Sequence, residues 1–162
     1  MKRTYQQTIV EPLYFEGIGL HSGKKSKIKI LPGDEKKGIV FKRIDLTRNN
    51  IIQANYKNVS STNLSTTLQN NYGIKVSTVE HLLAALYIAE IDSVIIEIDN
   101  EEVPIMDGSA KDFLKVLKKS ELKKLNSKIK YLKILEEFKF NDGKRTISIT
   151  PKKTFEVDFE LN

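Results

Sequence analysis

The stretch Ser77-Thr78-Val79-Glu80-His81-Leu82-Leu83-Ala84-Ala85-Leu86-Tyr87-Ile88-Ala89-Glu90-Ile91-Asp92-Ser93-Val94-Ile95-Ile96-Glu97-Ile98-Asp99 carries two kinds of pattern back to back. Val79, Leu82, Leu83 and Leu86 recur at helical spacing, which predicts a helix from Ser77 to about Glu90. Ala84, Ala85, Ile88 and Ala89 leave the opposite side nearly as apolar, so this helix is expected to be buried on more than one face. Asp92 to Asp99 is β-branched and reads as a strand. Helix and strand in close succession point to an α/β chain.

Working outward, Ser26 to Leu31 alternates Ile28 and Ile30 with Lys27 and Lys29, a half-buried strand stopped by Pro32-Gly33-Asp34. Gly38 to Lys42 reads as the next strand, and Thr47 to Ser61 as polar and irregular. A second helix is expected from near Ser109, with Phe113, Leu114, Val116 and Leu117 inward and Lys111, Lys115, Lys118 and Lys119 outward. Glu121 to Ile129 is lysine-rich and reads as a linker between a first domain at 1–126 and a second segment at 127–162. In that segment Phe138 and Phe140 alternate with Lys139, and Asn141-Asp142-Gly143 predicts a hairpin turn before Ile147 and Ile149. Phe155, Val157, Phe159 and Leu161 alternate with charged residues and predict a last strand with an uncovered apolar face.

Hydrophobic residues make up 40% of the 162, enough for a packed core. The absence of cysteine excludes disulfides and thiolate metal sites. Any metal must be held by nitrogen and oxygen, and the histidines are His21 and His81. No apolar run follows the polar start, and none approaches the roughly 20 residues of a membrane span, so a soluble, cytoplasmic protein is expected. The net charge of +6 comes from spaced lysines without a basic-aromatic stripe, which argues against nucleic acid as partner. A basic surface also suits peripheral contact with an anionic inner-membrane leaflet.

Chemistry concentrates in three segments: Gly17-Ile18-Gly19-Leu20-His21-Ser22-Gly23, Ser77 to Leu86, and Val103-Pro104-Ile105-Met106-Asp107-Gly108-Ser109-Ala110. Ser77 and Glu80 have the spacing of a capping box, which accounts for Glu80 without chemistry. His81 beside it sits where the helix dipole disfavours a protonated imidazole by about 0.3–1 kcal/mol, and neutral imidazole is the metal-binding form. Successive helical residues diverge by about 100°, so one can ligate while the other takes a proton from a metal-bound water. His21 lies in a glycine-bracketed loop and reads equally as a loop histidine with a backbone partner or as a site residue. Asp107 reads equally as an Asx-turn or cap and as a carboxylate that orients a site histidine.

These three segments, in this order, resemble the zinc-dependent UDP-3-O-acyl-N-acetylglucosamine deacetylases of lipid A biosynthesis, from about Thr8 to the last residue. The resemblance implies an α+β two-layer sandwich, a small sheet packed on helices, in two similar domains with the active site between them. It implies that Glu80 is the general base and His81 a zinc ligand. It implies further that Leu64, Ser65 and Thr66 line the substrate side, and that His21 and Asp107 fall at or near the cleft. Arg145 falls where the family has a basic residue near the nucleotide. The family's other zinc ligands, a His and an Asp one helical turn apart, belong to its second domain and are not among these residues. A catalytic zinc takes three protein ligands and an open position. The chain alone is therefore expected to be incomplete and inactive: a fragment, the product of a broken reading frame, or a genuine short protein completed by a partner chain. The alternative is a non-catalytic module of the same fold that binds an acidic partner or membrane surface through its lysines.

Overall fold

The computed structural model describes residues 3–160. The chain forms two compact units, Met1–Ile129 and Lys130–Asn162. In the first, a five-stranded sheet is built from β2 (Leu13–Ile18), β3 (Lys25–Pro32), β4 (Ile39–Arg43), β5 (Ile51–Gln53) and β9 (Val94–Ile98), in the order β2-β3-β9-β4-β5. Only the β4–β9 pair is parallel; the other pairings are antiparallel. Two helices, α1 (Glu80–Ile88) and α2 (Lys111–Leu117), supply the second layer. Period-two alternation sends Ile28, Ile30, Phe41, Ile52, Val94, Ile96 and Ile98 into one core with Leu82, Ala85 and Leu86 of α1 and Phe113 and Leu117 of α2. Phe15 of β2 meets Phe113 edge to face, with ring centroids 5.1 Å apart. This is the α+β two-layer sandwich expected.

A three-stranded antiparallel sheet, β6 (Val59–Ser61), β7 (Thr67–Gln69) and β8 (Lys75–Val76), leads into α1. The segment expected to be irregular over 47–61 thus contains β5, a short 3-10 turn at Tyr56–Asn58 and β6. Three-residue strands with at most one buried side chain, Ile52 here, are too short to show periodicity.

The expected linker is also a strand. β10 (Leu122–Lys128) pairs antiparallel with β1 (Tyr5–Ile9). Its Leu125 and Ser127 are buried while Lys123, Lys124 and Lys128 face out. Glu35 fixes it by accepting from the Asn126 N–H (3.0 Å) and the Ser127 hydroxyl (3.2 Å). The lysines mark the wet face of a strand, not a solvated connection.

α1 departs from expectation at its start and in its burial. It begins at Glu80, three residues after Ser77. It ends in a Schellman motif: the Ile91 N–H reaches the Leu86 carbonyl and the Glu90 N–H that of Tyr87 (3.0 Å each), with Glu90 at φ 60°. Leu82, Ala85 and Leu86 are buried, but Ala84, Tyr87 and Ile88 are exposed, so one face is covered rather than several. α2 is oriented as expected, with Phe113 and Leu117 buried and Lys111, Lys115, Lys118 and Lys119 outward.

The second unit contains the expected hairpin, β11 (Phe138–Asn141) and β12 (Thr146–Ile149), with Phe138 opposite Ile149 and Phe140 opposite Ile147. Residues 150–160 form no strand, although Phe155, Val157 and Phe159 alternate; Leu161 lies outside the described residues. Alternation makes a strand only where a neighbouring backbone accepts its hydrogen bonds. Among the described residues no helix is long and apolar enough to cross a membrane.

The difference in burial between the units gives a prediction. Ile96, fully buried, is expected to cost about 2–5 kcal/mol on substitution by alanine. Ile147, 63% exposed, is expected to cost under about 0.5 kcal/mol. Equilibrium urea unfolding of Ile96→Ala and Ile147→Ala checks both.

Candidate functional site

The three chemically suggestive segments, far apart in sequence, meet at the start of α1. The Ile105 N–H donates to the Ile18 carbonyl (3.0 Å), and the Val103 N–H to that of Ser77 (3.1 Å). At Gly17 a side chain's first carbon would sit 2.9 Å from Pro104 Cβ, so glycine permits the close approach.

Ser77 is held extended. Its N–H and hydroxyl both donate to the Glu101 carbonyl, at 2.8 and 3.2 Å. It therefore does not cap α1; the N-cap position is Val79, with no side-chain hydrogen bond, and the capping box is not formed. Between them Thr78 adopts φ 57°, the left-handed region that a β-branched side chain rarely enters. This turn releases Glu80 from capping. Its Oε2 accepts instead from the Thr66 N–H at 3.1 Å, and the Val79 N–H reaches the Thr66 carbonyl at 3.5 Å. The 64–66 loop is thereby fastened to the helix start. Leu64, at φ 63° and 84% exposed, stands out from that loop, and Ser65 and Thr66 are half-buried.

His81, half-buried, follows one position on. Its Nδ1 is buried and has no hydrogen-bond partner. A buried polar atom without a partner costs about 1–3 kcal/mol, and a neutral imidazole nitrogen in that state is suited to coordination. The described residues include no group of three or more His, Asp or Glu side chains able to hold a metal. The fit to zinc is therefore that of one donor, His81, with a carboxylate beside it.

His21 is exposed, and its backbone N–H rather than its ring is anchored, to Glu102 Oε1 at 2.9 Å. Asp107 is exposed and forms an Asx-turn, accepting from the N–H (3.0 Å) and hydroxyl (2.9 Å) of Ser109. The Ser109 hydroxyl bond is the main reason its carboxyl lies below the usual range. Arg145 belongs to the second unit, where its N–H donates to Asp142 Oδ1 (2.7 Å) at the hairpin turn.

Glu102 was not singled out from the sequence. It is 1% exposed and accepts from the N–H groups of His21 and Ser22 (2.9 and 2.8 Å) and from the Thr78 hydroxyl (3.0 Å). Burial pushes its carboxyl up, but bonds from the Ser22 side chain, the two N–H groups and Thr78 outweigh that and leave it below the ordinary glutamate value. One signal was available: Glu102 abuts Val103-Pro104, and an acidic residue beside an apolar run leading to a chemically loaded motif needs a partner if buried.

The architecture and this site define an α/β protein with a Glu–His pair at a helix start, tied to the 64–66 loop and, through Thr78 and Glu102, to a glycine-bracketed turn. The family model "LpxC: UDP-3-O-acyl N-acetylglycosamine deacetylase" matches residues 6–162, and the chain belongs to that family. It is 42% identical over 158 residues to a UDP-3-O-acyl-N-acetylglucosamine deacetylase of Geotalea uraniireducens, covering 98% of this chain and 51% of the relative. Against the proteins of the same name from Shewanella frigidimarina and Shewanella baltica, identity is 41% and 39%, covering 98% of this chain and 52% of each relative. The chain spans about half the length of the curated relatives it matches.

The lowered carboxyl of Glu102 predicts a pH dependence. Its folded value lies below its unfolded one, so its stabilisation is complete above the unfolded value of about 4.3 and is lost as pH falls through the folded value. Glu102→Gln is expected to lose about 1–3 kcal/mol at neutral pH. The gap between parent and variant is expected to narrow below about pH 4.3, measured by urea unfolding across that range.

Proposed function

We propose that these residues serve the zinc-dependent hydrolysis of the N-acetyl group of UDP-3-O-acyl-N-acetylglucosamine, a cytoplasmic step of lipid A biosynthesis. The observation that carries the proposal is the Glu80–His81 pair, with Glu80 released from capping and held by the Thr66 N–H (3.1 Å). Family membership and the names of the relatives supply the substrate.

In this reading His81 is one zinc ligand and Glu80 the general base. Bound zinc supplies a Lewis acid for the amide carbonyl and the attacking water. Glu80 takes the proton from that water and returns it to the departing sugar amine as the C–N bond breaks, releasing acetate. The Thr66 N–H confines the carboxylate to one orientation, and Leu64, Ser65 and Thr66 line the substrate side beside it. His21 and Asp107 stand at or near the cleft, and Arg145 serves the nucleotide. The two further zinc ligands come from residues beyond this set. The outward lysines of α2 and β10 suit peripheral contact with an anionic leaflet while an acylated substrate is engaged.

The 162-residue chain alone is expected to release no acetate from UDP-3-O-acyl-N-acetylglucosamine. Joined in cis to the second half that its relatives possess, it is expected to do so with zinc. In that form Glu80→Ala is expected to lower kcat by about 10²–10⁴-fold. Robust turnover by the chain alone, or a joined form indifferent to Glu80→Ala, overturns the assignment.

A further inference from the structure

Glu102 is the only buried acidic side chain among the described residues, and the proposed chemistry does not use it. Its surroundings are built for a carboxylate. Four donors converge on two oxygens: the His21 N–H and the Thr78 hydroxyl on Oε1, the Ser22 N–H on Oε2, and the Ser22 hydroxyl beside them. An ionised carboxylate is acceptor-only and satisfies all of them, whereas an amide turns a donor toward one. Gly19 makes room, because a methyl there would overlap the Glu102 carboxylate and the Ser22 hydroxyl, with Glu102 Cδ at 2.8 Å. The loop closes on itself through Gly23 N–H to Gly19 carbonyl (3.0 Å), and Glu102 carries it across to Thr78. Thr78 in turn holds the left-handed φ of 57° immediately before Val79, Glu80 and His81.

We propose that Glu102 is a positioning residue: by latching the 19–23 loop to Thr78, its carboxylate fixes where His21 stands relative to the Glu80–His81 pair. The proposal deepens the reading of Glu80 and His81 as the working pair and rests on it for its purpose. The latch itself is a matter of hydrogen bonds and is measurable without turnover.

The test is residue-resolved amide hydrogen exchange by NMR on the 162-residue chain. Glu102→Gln is expected to speed exchange at His21 and Ser22 by about tenfold or more, while Ile28, Ile30 and Ile96 in the sheet keep their protection. Thr78→Val, which removes the hydroxyl and keeps the shape, is expected to speed exchange at His21 and Ser22 too. Thr78→Ser, which keeps the hydroxyl, is expected to leave both at the parent rate. That transmission from Thr78 to a distant loop separates a latch from a residue that merely adds stability, and it remains readable if Glu102→Gln does not fold. Exchange at His21 and Ser22 within twofold of the parent in Glu102→Gln or in Thr78→Val overturns the proposal. Failure of the deacetylase reading would show in acetate release and not in these rates, so the two are told apart.

Discussion

The position of β9 between β3 and β4 is the constraint on which the first unit depends. It is antiparallel to one neighbour and parallel to the other, and Val94, Ile96 and Ile98 present a continuous fully buried face to the helices. A parallel neighbour demands a crossover, because the chain must return to the same edge of the sheet before running in the same direction. The crossover here includes α1, and the Schellman turn at Glu90 joins that helix directly to β9. Once β9 is placed and Leu82, Ala85 and Leu86 are packed, the far end of α1 has one position available. Glu80 and His81 occupy that end. Their location follows from hydrophobic burial in the sheet, and it leaves His81 Nδ1 buried without a partner.

The elements legible in the sequence are those whose burial repeats. β3, β9 and α2 each show core-facing residues at a fixed period, β4 reads as a short apolar run, and the β11–β12 turn has a residue type that few other conformations favour. What the sequence hid is governed by partners instead of periods. β10 looks like a linker until β1 and Glu35 are beside it. Phe155, Val157 and Phe159 alternate as in a strand, but residues 150–160 form none. The expected burial of α1 on more than one face failed because small and aliphatic residues on an outer face are compatible with exposure, as at Ala84 and Ile88.

The candidate site divides in the same way. Glu80 and His81 stand out in the sequence because an ionisable pair interrupts an apolar helix, yet the capping box with Ser77 is the favoured local explanation for Glu80. The geometry removes the cap. With Thr78 left-handed, Ser77 is drawn onto Glu101 and cannot reach the helix, so the Glu80 carboxylate turns to Thr66. Spacing alone could not reveal that turn, because threonine is an improbable residue for it. Glu102 was hidden for a related reason: its partners are backbone groups and a hydroxyl over 20 residues away, and such donors leave no composition signal.

Three non-glycine residues with positive φ, Leu64, Thr78 and Met106, fall in three separate segments that all bear on the helix start. Each such conformation costs of the order of 1–3 kcal/mol and survives only where its surroundings over-determine it. Around Thr78 the bonds that do so are on both sides: Ser77 to Glu101, Val103 to Ser77, and the Thr78 hydroxyl to Glu102. A relaxed turn would extend the helix to Ser77, restore the capping box and spend Glu80 on it. Strain at Thr78 thus has a definite structural consequence: it exchanges a cap at Ser77 for a carboxylate held by the Thr66 N–H, next in sequence to a histidine with an unpartnered nitrogen. The carboxylate that braces this turn, Glu102, is accordingly distinct from the one the turn leaves uncapped, Glu80.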